Sequence, residues 1–222
     1  MNKILLLALL TACFAACKKK DQSVDLHYNL YPVNQGHSVV YRVMEVKIDV
    51  SLEQNDTTLY FLKTEIGDTV IDNEGRIARK FNRYKSDSQT GPWMLTDVWT
   101  TIVEDGRAEL TEENQRVIKM VFAPTETQSW NMNAYNMLGT MDCYYSNLFV
   151  PKTLNGIYFD STVTVEQQSF YSFIDLRRKY EVYAKGVGLI NKYYKDYTIQ
   201  NFDTTAIQQG TEVQMSIVSY NP

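Results

Sequence analysis

The sequence predicts a mainly β (α+β) protein, built as a curved antiparallel sheet or partly open half-barrel with one or two covering helices. Three observations predict it. Apolar and polar residues alternate with a period of two over most of the chain, as in strands with one buried face. Short turn signals separate these runs, and only two stretches have helical spacing. About ten strands in succession with few helices are typical of a curved antiparallel sheet.

The first predicted hairpin lies in residues 40–66. In the run Val40–Val50, the apolar residues at even positions share one face, which we expect to be buried. A second run follows at Thr57–Ile66. Between the two runs, Gln54–Asp56 offers the residue types that turns prefer.

Two Gly-containing turns, Asn73–Gly75 and Glu104–Gly106, divide the next region into strands. We expect these strands at 76–85, 93–103, 107–111 and 115–122. Further strands are predicted at 161–167 and 188–200. The clearest one-sided alternation is the last one, Glu212–Ile217, which predicts a sheet with one solvated face.

Two helices are predicted. Thr125 followed by Gln128 fits a capping box at a helix start. Apolar residues then recur at helical spacing through 126–138, and we expect this helix to cover the apolar face of the sheet. A shorter helix is predicted at 171–178.

The N-terminus has the features of an export signal. Lys3 precedes an apolar run of about 13 residues, which is too short to cross the bilayer core of about 30 Å as a helix. Phe14–Cys17 resembles the bacterial lipobox, in which a lipidated cysteine becomes the new N-terminus. We therefore expect residues 1–16 to be a removed signal peptide. Cys17 would then carry acyl chains such as palmitate.

Cys13 is the competing lipidation site. Leu10–Cys13 fits the lipobox better at its first position, but cleavage there leaves a very short signal. Cys17 is preferred because a charged, hydrophilic stretch follows it. The predicted organisation is thus a lipid-anchored flexible tether at 17–36 and a single β-rich domain at 37–222, located in the cell envelope.

Composition and motifs exclude several functions. The net charge of −4 argues against nucleic acid as a partner. The two histidines, His27 and His37, both precede the first confident strand, and no G-x-S-x-G, H-E-x-x-H or C-x-x-C motif is present. Gly186–Gly188 is only a fragment of a dinucleotide loop. We expect no catalytic residue, metal or cofactor. Cys143 is expected to be a small buried residue.

Three groups of residues could still contact a ligand. Acidic pairs such as Glu112–Glu113 lie in predicted turns, whereas a carboxylate hydrolase needs two carboxylates facing each other across a cleft. Basic residues crowd the strand at 76–85, which we interpret as a solvated edge strand. Aromatic and Met side chains suit an apolar cavity or a glycan surface. The candidate ligand-facing residues are Trp93, Trp99, Trp130 and Met137.

Two segments resemble known envelope proteins. Cys17–Asp21 resembles the start of lipoproteins from Bacteroides-type bacteria. Tyr183–Ile190 resembles the Y-A-x-G-V-G-L-V stretch near the end of envelope proteins with a curved half-barrel, like the periplasmic lipoprotein carriers. The resemblance implies the fold and assigns no catalytic residue.

Four Asp-Ser/Thr dipeptides resemble the sequon for periplasmic O-glycosylation in such bacteria. The resemblance implies modification of the hydroxyl residue in each. These residues are Thr57, Thr69, Ser161 and Thr204.

The sequence therefore supports two functional hypotheses. The first is a non-catalytic envelope protein that is held at the membrane by its lipid and binds an apolar or amphiphilic ligand or docks an envelope partner. The second is a surface glycan-handling accessory protein or a carboxylate-based hydrolase. A cavity lined by Met and aliphatic residues would favour the first, and a tryptophan-lined cleft with two carboxylates the second.

Overall fold

A computed structural model describes residues 24–222, so the predicted signal peptide and both candidate lipidation cysteines lie outside the described residues. The fold is mainly β, as predicted, with twelve strands in the described part of the chain. Short 3-10 turns lie at Tyr28–Leu30 and Val50–Leu52. The strands are β1 Ser38–Asp49, β2 Gln54–Ile71, β3 Ile77–Ser86, β4 Met94–Glu104, β5 Arg107–Glu112, β6 Gln115–Val121, β7 Ser129–Asn131, β8 Asp142–Leu154, β9 Ile157–Tyr171, β10 Asp175–Ala184, β11 Gly188–Gln200 and β12 Asp203–Asn221.

All twelve strands form one antiparallel sheet that is nearly closed into a barrel. The strand order is β6-β5-β4-β3-β2-β1-β12-β11-β10-β9-β8-β7. Strand β1 therefore lies between β2 and β12, and the two edge strands, β6 and β7, are consecutive in the sequence. Within β1–β6 and within β7–β12, each strand pairs with its neighbours in sequence, so the hairpin turns alternate between the two ends of the sheet.

The two edges meet at a seam that side-chain and backbone hydrogen bonds bridge. Trp130 donates its indole N–H to the carbonyl oxygen of Ile118 (3.0 Å), and the Ile118 N–H donates to the carbonyl of Met132 (2.9 Å). The Tyr145 hydroxyl donates to the Val121 carbonyl (2.5 Å) and accepts from the Val121 N–H (3.2 Å). These bonds satisfy edge backbone groups that a neighbouring strand would otherwise pair.

Most strand predictions are confirmed. Strands β3 to β6 lie within one residue of the predicted bounds, and β11 matches its prediction. The turns at Gly75 and Gly106 are also confirmed, with φ values of 77° and 74° that glycine adopts without strain.

Two details of the first hairpin are wrong. Residues 54–56 begin β2 rather than form a turn, and the chain reverses at Val50–Leu52, where the Asp49 carboxylate accepts from the N–H groups of Ser51 and Leu52. The buried face of β1 is also the opposite one. Its buried residues are Val39, Tyr41 and Val43, at 3%, 2% and 1% exposure. Apolar residues occupy both faces of this central strand, so alternation alone did not identify the interior side.

Both predicted helices are wrong, and no α-helix occurs in residues 24–222. The segment 126–138 forms β7 and turns, and Met137 is 96% exposed. Asparagines hold its backbone in turns: the Asn131 side chain accepts from the N–H of Asn133 and of Met141, each at 3.0 Å. Such local bonds compete with helix formation.

In 171–178, the Ser172 hydroxyl likewise accepts from the Asp175 N–H (3.0 Å) at the β9–β10 turn. No helix in the described range has the length and apolarity needed to cross a membrane.

Part of the predicted tether packs against the barrel. Leu30 and Tyr31 are 1% and 8% exposed, and the Asn29 carbonyl accepts from the Gly186 N–H (2.8 Å). The interpretation of 76–85 as an edge strand is also wrong, because β3 pairs with both β2 and β4. Among its cations, Arg83 pairs with Asp97 (2.9 Å), Arg79 donates to the Thr69 hydroxyl (2.9 Å) and Lys85 lies over the Tyr60 ring (3.9 Å).

Candidate ligand-binding cavity

The curled sheet surrounds a partly open cavity of about 110 Å³. Strands from both halves of the sheet contribute to its wall, and the packed N-terminal segment contributes Tyr31, Pro32 and His37. Most of the wall is aliphatic or aromatic. The aliphatic members are Val39, Leu62, Ile66, Leu110, Val187, Leu189 and Met215.

A buried ion pair crosses the interior at this cavity. The Lys119 ammonium lies 2.7 Å from Glu181 Oε1, and the two side chains are 7% and 1% exposed. Tyr183 donates its hydroxyl to Glu181 Oε2 (2.7 Å), and Lys192 Nζ lies 3.6 Å from Oε1. Lys119 is the additional residue of a β-bulge in β6, because Ala108 faces Met120 while the next residue of β5 faces Ile118. The pair thus joins edge strand β6 to β10.

Both members of the pair stay charged. Burial by itself would raise the pKa of Glu181, but the nearby Lys119 and Lys192 and the hydrogen bonds lower it to about 2. Burial opposes the charge of Lys119 too, yet Glu181 and Glu112 raise the pKa of its ammonium above the ordinary value. Neither group therefore exchanges a proton near neutral pH, which a general acid or base must do.

The buried tyrosines also have their hydrogen bonds satisfied within the protein. The Thr101 hydroxyl donates to the Glu109 carbonyl (2.8 Å), so its oxygen accepts from Tyr31 (3.1 Å). Tyr41 donates to the Leu189 carbonyl (2.8 Å). Burial raises the pKa of Tyr31 to about 12, so its hydroxyl stays neutral. The interior consequently presents a mainly apolar wall in which the hydroxyls of Tyr31, Tyr41 and Tyr183 and the charges of Lys119 and Glu181 already have partners within the protein.

Of the four predicted ligand-facing residues, the structure brings Trp99 to the cavity. Its ring stacks on Phe81 at 6.2 Å between centroids, with the Arg83 guanidinium 4.1 Å from its centre. Trp130 lies at the seam, Met137 is exposed, and Trp93 follows the β3–β4 turn; none of these three lines the cavity.

The sequence reasoning missed Lys119 and Glu181. Each is a single charged residue inside an apolar run, Val117–Met120 for Lys119 and Tyr180–Tyr183 for Glu181. Because buried charges are rare unless they are paired, these two isolated charges of opposite sign were a signal that could have identified the pair.

The remaining candidates lie away from the cavity. Thr57, Thr69 and Thr204 are exposed and Ser161 is half-buried. Cys143 is fully buried, and burial raises the pKa of its thiol to about 12. No group of three or more His, Cys, Asp or Glu side chains within residues 24–222 is arranged to hold a metal ion.

Fold and cavity together define a class of protein: one antiparallel sheet curled almost into a barrel around a small, mainly apolar cavity. No known family profile matches the chain, and no curated protein shows significant similarity to it.

Proposed function

We propose that this chain is a lipid-anchored protein of the cell envelope whose interior cavity binds an apolar or amphiphilic ligand without catalysing a reaction. The mainly aliphatic and aromatic wall of the cavity carries this proposal. Removing apolar ligand surface from water is favourable by about 25 cal/mol per Å². The buried tyrosine hydroxyls and the Lys119–Glu181 pair already have partners, so a ligand can contact them without leaving these donors and acceptors unsatisfied.

The carboxyl groups favour binding over hydrolysis. A carboxylate hydrolase needs one carboxylic acid with a raised pKa as proton donor. Among the described residues, each carboxyl whose pKa is shifted has it lowered: Asp49, Asp72, Glu109, Glu181, Asp203 and Glu212. Glu181, the shifted carboxylate in the cavity, is held as an anion. Ion pairs or hydrogen bonds favour the anionic form of each of these groups, so they do not supply the proton donor.

The proposed anchor rests on the sequence. A short apolar run, small residues before Cys17 and a lysine-rich stretch after it fit export and acylation. Several acyl chains on one cysteine hold a protein at a membrane more stably than a single chain does. The barrel would then be presented from the membrane on a short hydrophilic tether.

Octan-1-ol tests the cavity. We expect it to raise the melting temperature and to bind in isothermal titration calorimetry. Leu62→Phe narrows the cavity and should weaken octanol binding at least threefold. Leu59→Phe makes the same change at an exposed position of β2, outside the cavity wall, and should leave binding unchanged. Absence of octanol binding to the wild-type protein, or equal loss in both variants, contradicts the proposal.

Metabolic labelling with an alkyne-tagged palmitate tests the anchor. The full chain, expressed in a bacterium with an outer membrane, should incorporate label and fractionate with membranes. Cys17→Ala should abolish labelling while Cys13→Ala retains it. Labelling that depends on Cys13 would assign the lipid to Cys13 instead of Cys17. An unlabelled, secreted product would refute the proposal that the chain is lipid-anchored.

A further inference from the structure

A patch of exposed apolar side chains, the rim patch, lies where the described part of the chain begins. Its members are between 37% and 76% exposed, and they are Val24, Leu26, Tyr28, Phe149 and Val150. Groups of exposed apolar residues on a protein surface mark sites of contact with a membrane or with another protein. The rim patch is therefore a candidate contact surface.

The barrel holds the N-terminal part of the rim patch in place. The carbonyl of Leu26 accepts a hydrogen bond from the N–H of Ala123, which follows β6 (3.0 Å). His27, which separates Leu26 from Tyr28, packs its ring on Phe149 of β8 with 4.5 Å between the ring centroids. These contacts bring the N-terminal segment and β8 together into one surface.

A bulge in β8 presents Phe149 at this surface. Residues 147–149 of β8 lie opposite the single residue Val163 of β9, so β8 bulges there. Asn147 and Phe149 have φ values of 49° and 56°. A bulky residue rarely adopts this left-handed backbone, and such conformations cluster at functional sites. Because Phe149 is exposed, packing in the core does not explain the bulge, and a contact made by its ring does.

With the lipid on Cys17, chain length places the rim patch near the membrane. Val24 is seven residues after Cys17, and a fully extended chain of that length spans at most about 25 Å. Lys18–Lys20 in this connection attract anionic lipid headgroups. The anchor thus holds the rim patch beside the bilayer at a high effective concentration, so weak contacts are enough to keep it there.

A second exposed apolar patch, the far patch, lies at the opposite end of the barrel. Through the β8–β9, β9–β10 and β10–β11 pairings, Val150 lies level with Gly188, the first residue of β11. The far patch adjoins the other end of β11, and this strand of 13 residues spans about 40 Å. The connection of about 25 Å is too short to place the far patch on the bilayer. The far patch consists of Phe170, Tyr171, Phe173, Ile174 and Phe202.

We infer that the rim patch is the surface by which the barrel rests on the bilayer that carries its lipid. This inference rests on the lipid anchor of the proposed function. Tyrosine is favoured at the headgroup level, which suits Tyr28, and phenylalanine and leucine at the boundary with the acyl chains, which suits Phe149 and Leu26. In this orientation the β9–β10 and β11–β12 turns point away from the membrane.

Brominated lipids test the orientation, because bromine quenches the fluorescence of tryptophans that lie against the acyl chains. The full chain, acylated in a bacterium with an outer membrane, is reconstituted in vesicles of phosphatidylethanolamine and phosphatidylglycerol, with and without bromine on the acyl chains near the headgroup. Phe149→Trp places a probe in the rim patch. Phe202→Trp is the matched control in the far patch, because it replaces the same residue type at a similar φ, 60° against 56°. After subtraction of the wild-type signal, we expect bromine to quench the added tryptophan of Phe149→Trp at least threefold more than that of Phe202→Trp.

Each other outcome of this experiment contradicts the inference. Equal quenching in the two variants, or stronger quenching in Phe202→Trp, would overturn the orientation. Absence of quenching in both, with the protein still sedimenting with the vesicles, would overturn it in favour of a protein partner and leave the anchor intact. A chain that neither incorporates labelled palmitate nor sediments with the vesicles would refute the anchor and the inference with it.

A second substitution tests whether the patch acts as one surface. Leu26→Asn, added to Phe149→Trp, removes another apolar side chain from the rim patch and should lower the quenching at least twofold. Ile174→Asn, added to the same protein, removes an exposed apolar side chain from the far patch and should leave the quenching unchanged. Equal effects of the two substitutions, or no effect of Leu26→Asn, would overturn the assignment of Leu26 to the contact.

Discussion

Replacing Lys119 by Met should destabilise the fold by about 3 kcal/mol. Removing one partner of a buried ion pair costs about 3–5 kcal/mol, because the other charge stays buried without compensation. We expect the lower end of this range, because in the variant Glu181 still accepts a hydrogen bond from the Tyr183 hydroxyl and still lies near the more distant Lys192. Methionine keeps the length and apolar stem of lysine, so the lost charge rather than a cavity dominates the effect. Urea unfolding at pH 7, followed by tryptophan fluorescence, measures this difference.

The pH dependence of the wild-type protein checks the same magnitude. The pKa of Glu181 falls from an ordinary 4.5 to about 2 in the folded state. A carboxyl with a lowered folded pKa stabilises the fold above its unfolded pKa, and this contribution is lost as the pH falls through the folded pKa. The shift corresponds to about 3 kcal/mol, lost between about pH 4.5 and pH 2. Glu181→Gln should flatten the stability profile in this range.

The exposed pair of Lys47 and Glu45 is the control. Its ion-pair distance, 2.8 Å, is nearly the same, but the side chains are 56% and 25% exposed, so solvent screens the pair and Lys47→Met should lower the free energy of unfolding clearly less than Lys119→Met does. Equal costs for Lys119→Met and Lys47→Met would refute the reasoning. A wild-type profile no steeper than that of Glu181→Gln between pH 4.5 and pH 2 would refute it as well.

Three further predictions concern the seam, the thiol and the modification sites. Tyr145→Phe removes the hydroxyl that bonds both backbone groups of Val121, so it should lower the free energy of unfolding by about 1–3 kcal/mol. Amide hydrogen exchange should become faster in β6 before it does in other strands. Equal acceleration in all strands would argue against a local seam. Cys143 should resist iodoacetamide at pH 8 in the folded protein and react in 6 M guanidinium, and rapid labelling of the native protein would contradict its burial. Protein from the native host should exceed the mass of polypeptide plus lipid if its Asp-Ser/Thr sequons carry glycans, whereas a mass of polypeptide and lipid alone would exclude this. The four sequon residues are Thr57, Thr69, Ser161 and Thr204.

The sequence predicted the strands well where local chemistry decides the structure. The turns at Gly75 and Gly106 need positive φ, and the end of β11 alternates, with Tyr197 and Ile199 buried and Thr198 and Gln200 exposed. The sequence-based prediction was wrong for 126–138. The apolar spacing there indicated a helix, but asparagine side chains accept hydrogen bonds from backbone N–H groups and stabilise turns. The prediction also failed for β3, because pairing on both sides depends on strands distant from any local pattern.

The candidate site was only partly predictable. Trp99 stood out by type, but nothing local separates it from Trp130, whose indole bonds a backbone carbonyl across the seam. Lys119 turns inward because of a bulge, and a bulge breaks the period-two alternation that strand prediction uses. Lys119 was therefore missed because it lies where the pattern is interrupted.

The central position of β1 has a consequence for how the barrel forms. Each pairing in the sheet joins strands that are consecutive in sequence, except that of β1 with β12, which brings Ser38 beside Asn221. Strands β1–β6 and β7–β12 are thus two local meanders that can assemble separately during folding. One late, long-range closure then unites them, and the entropy of that closure grows only slowly with chain length. A circular permutant joined near these termini and opened at 123–128 would turn that single distant pairing into a local hairpin, and it should fold faster into the same barrel.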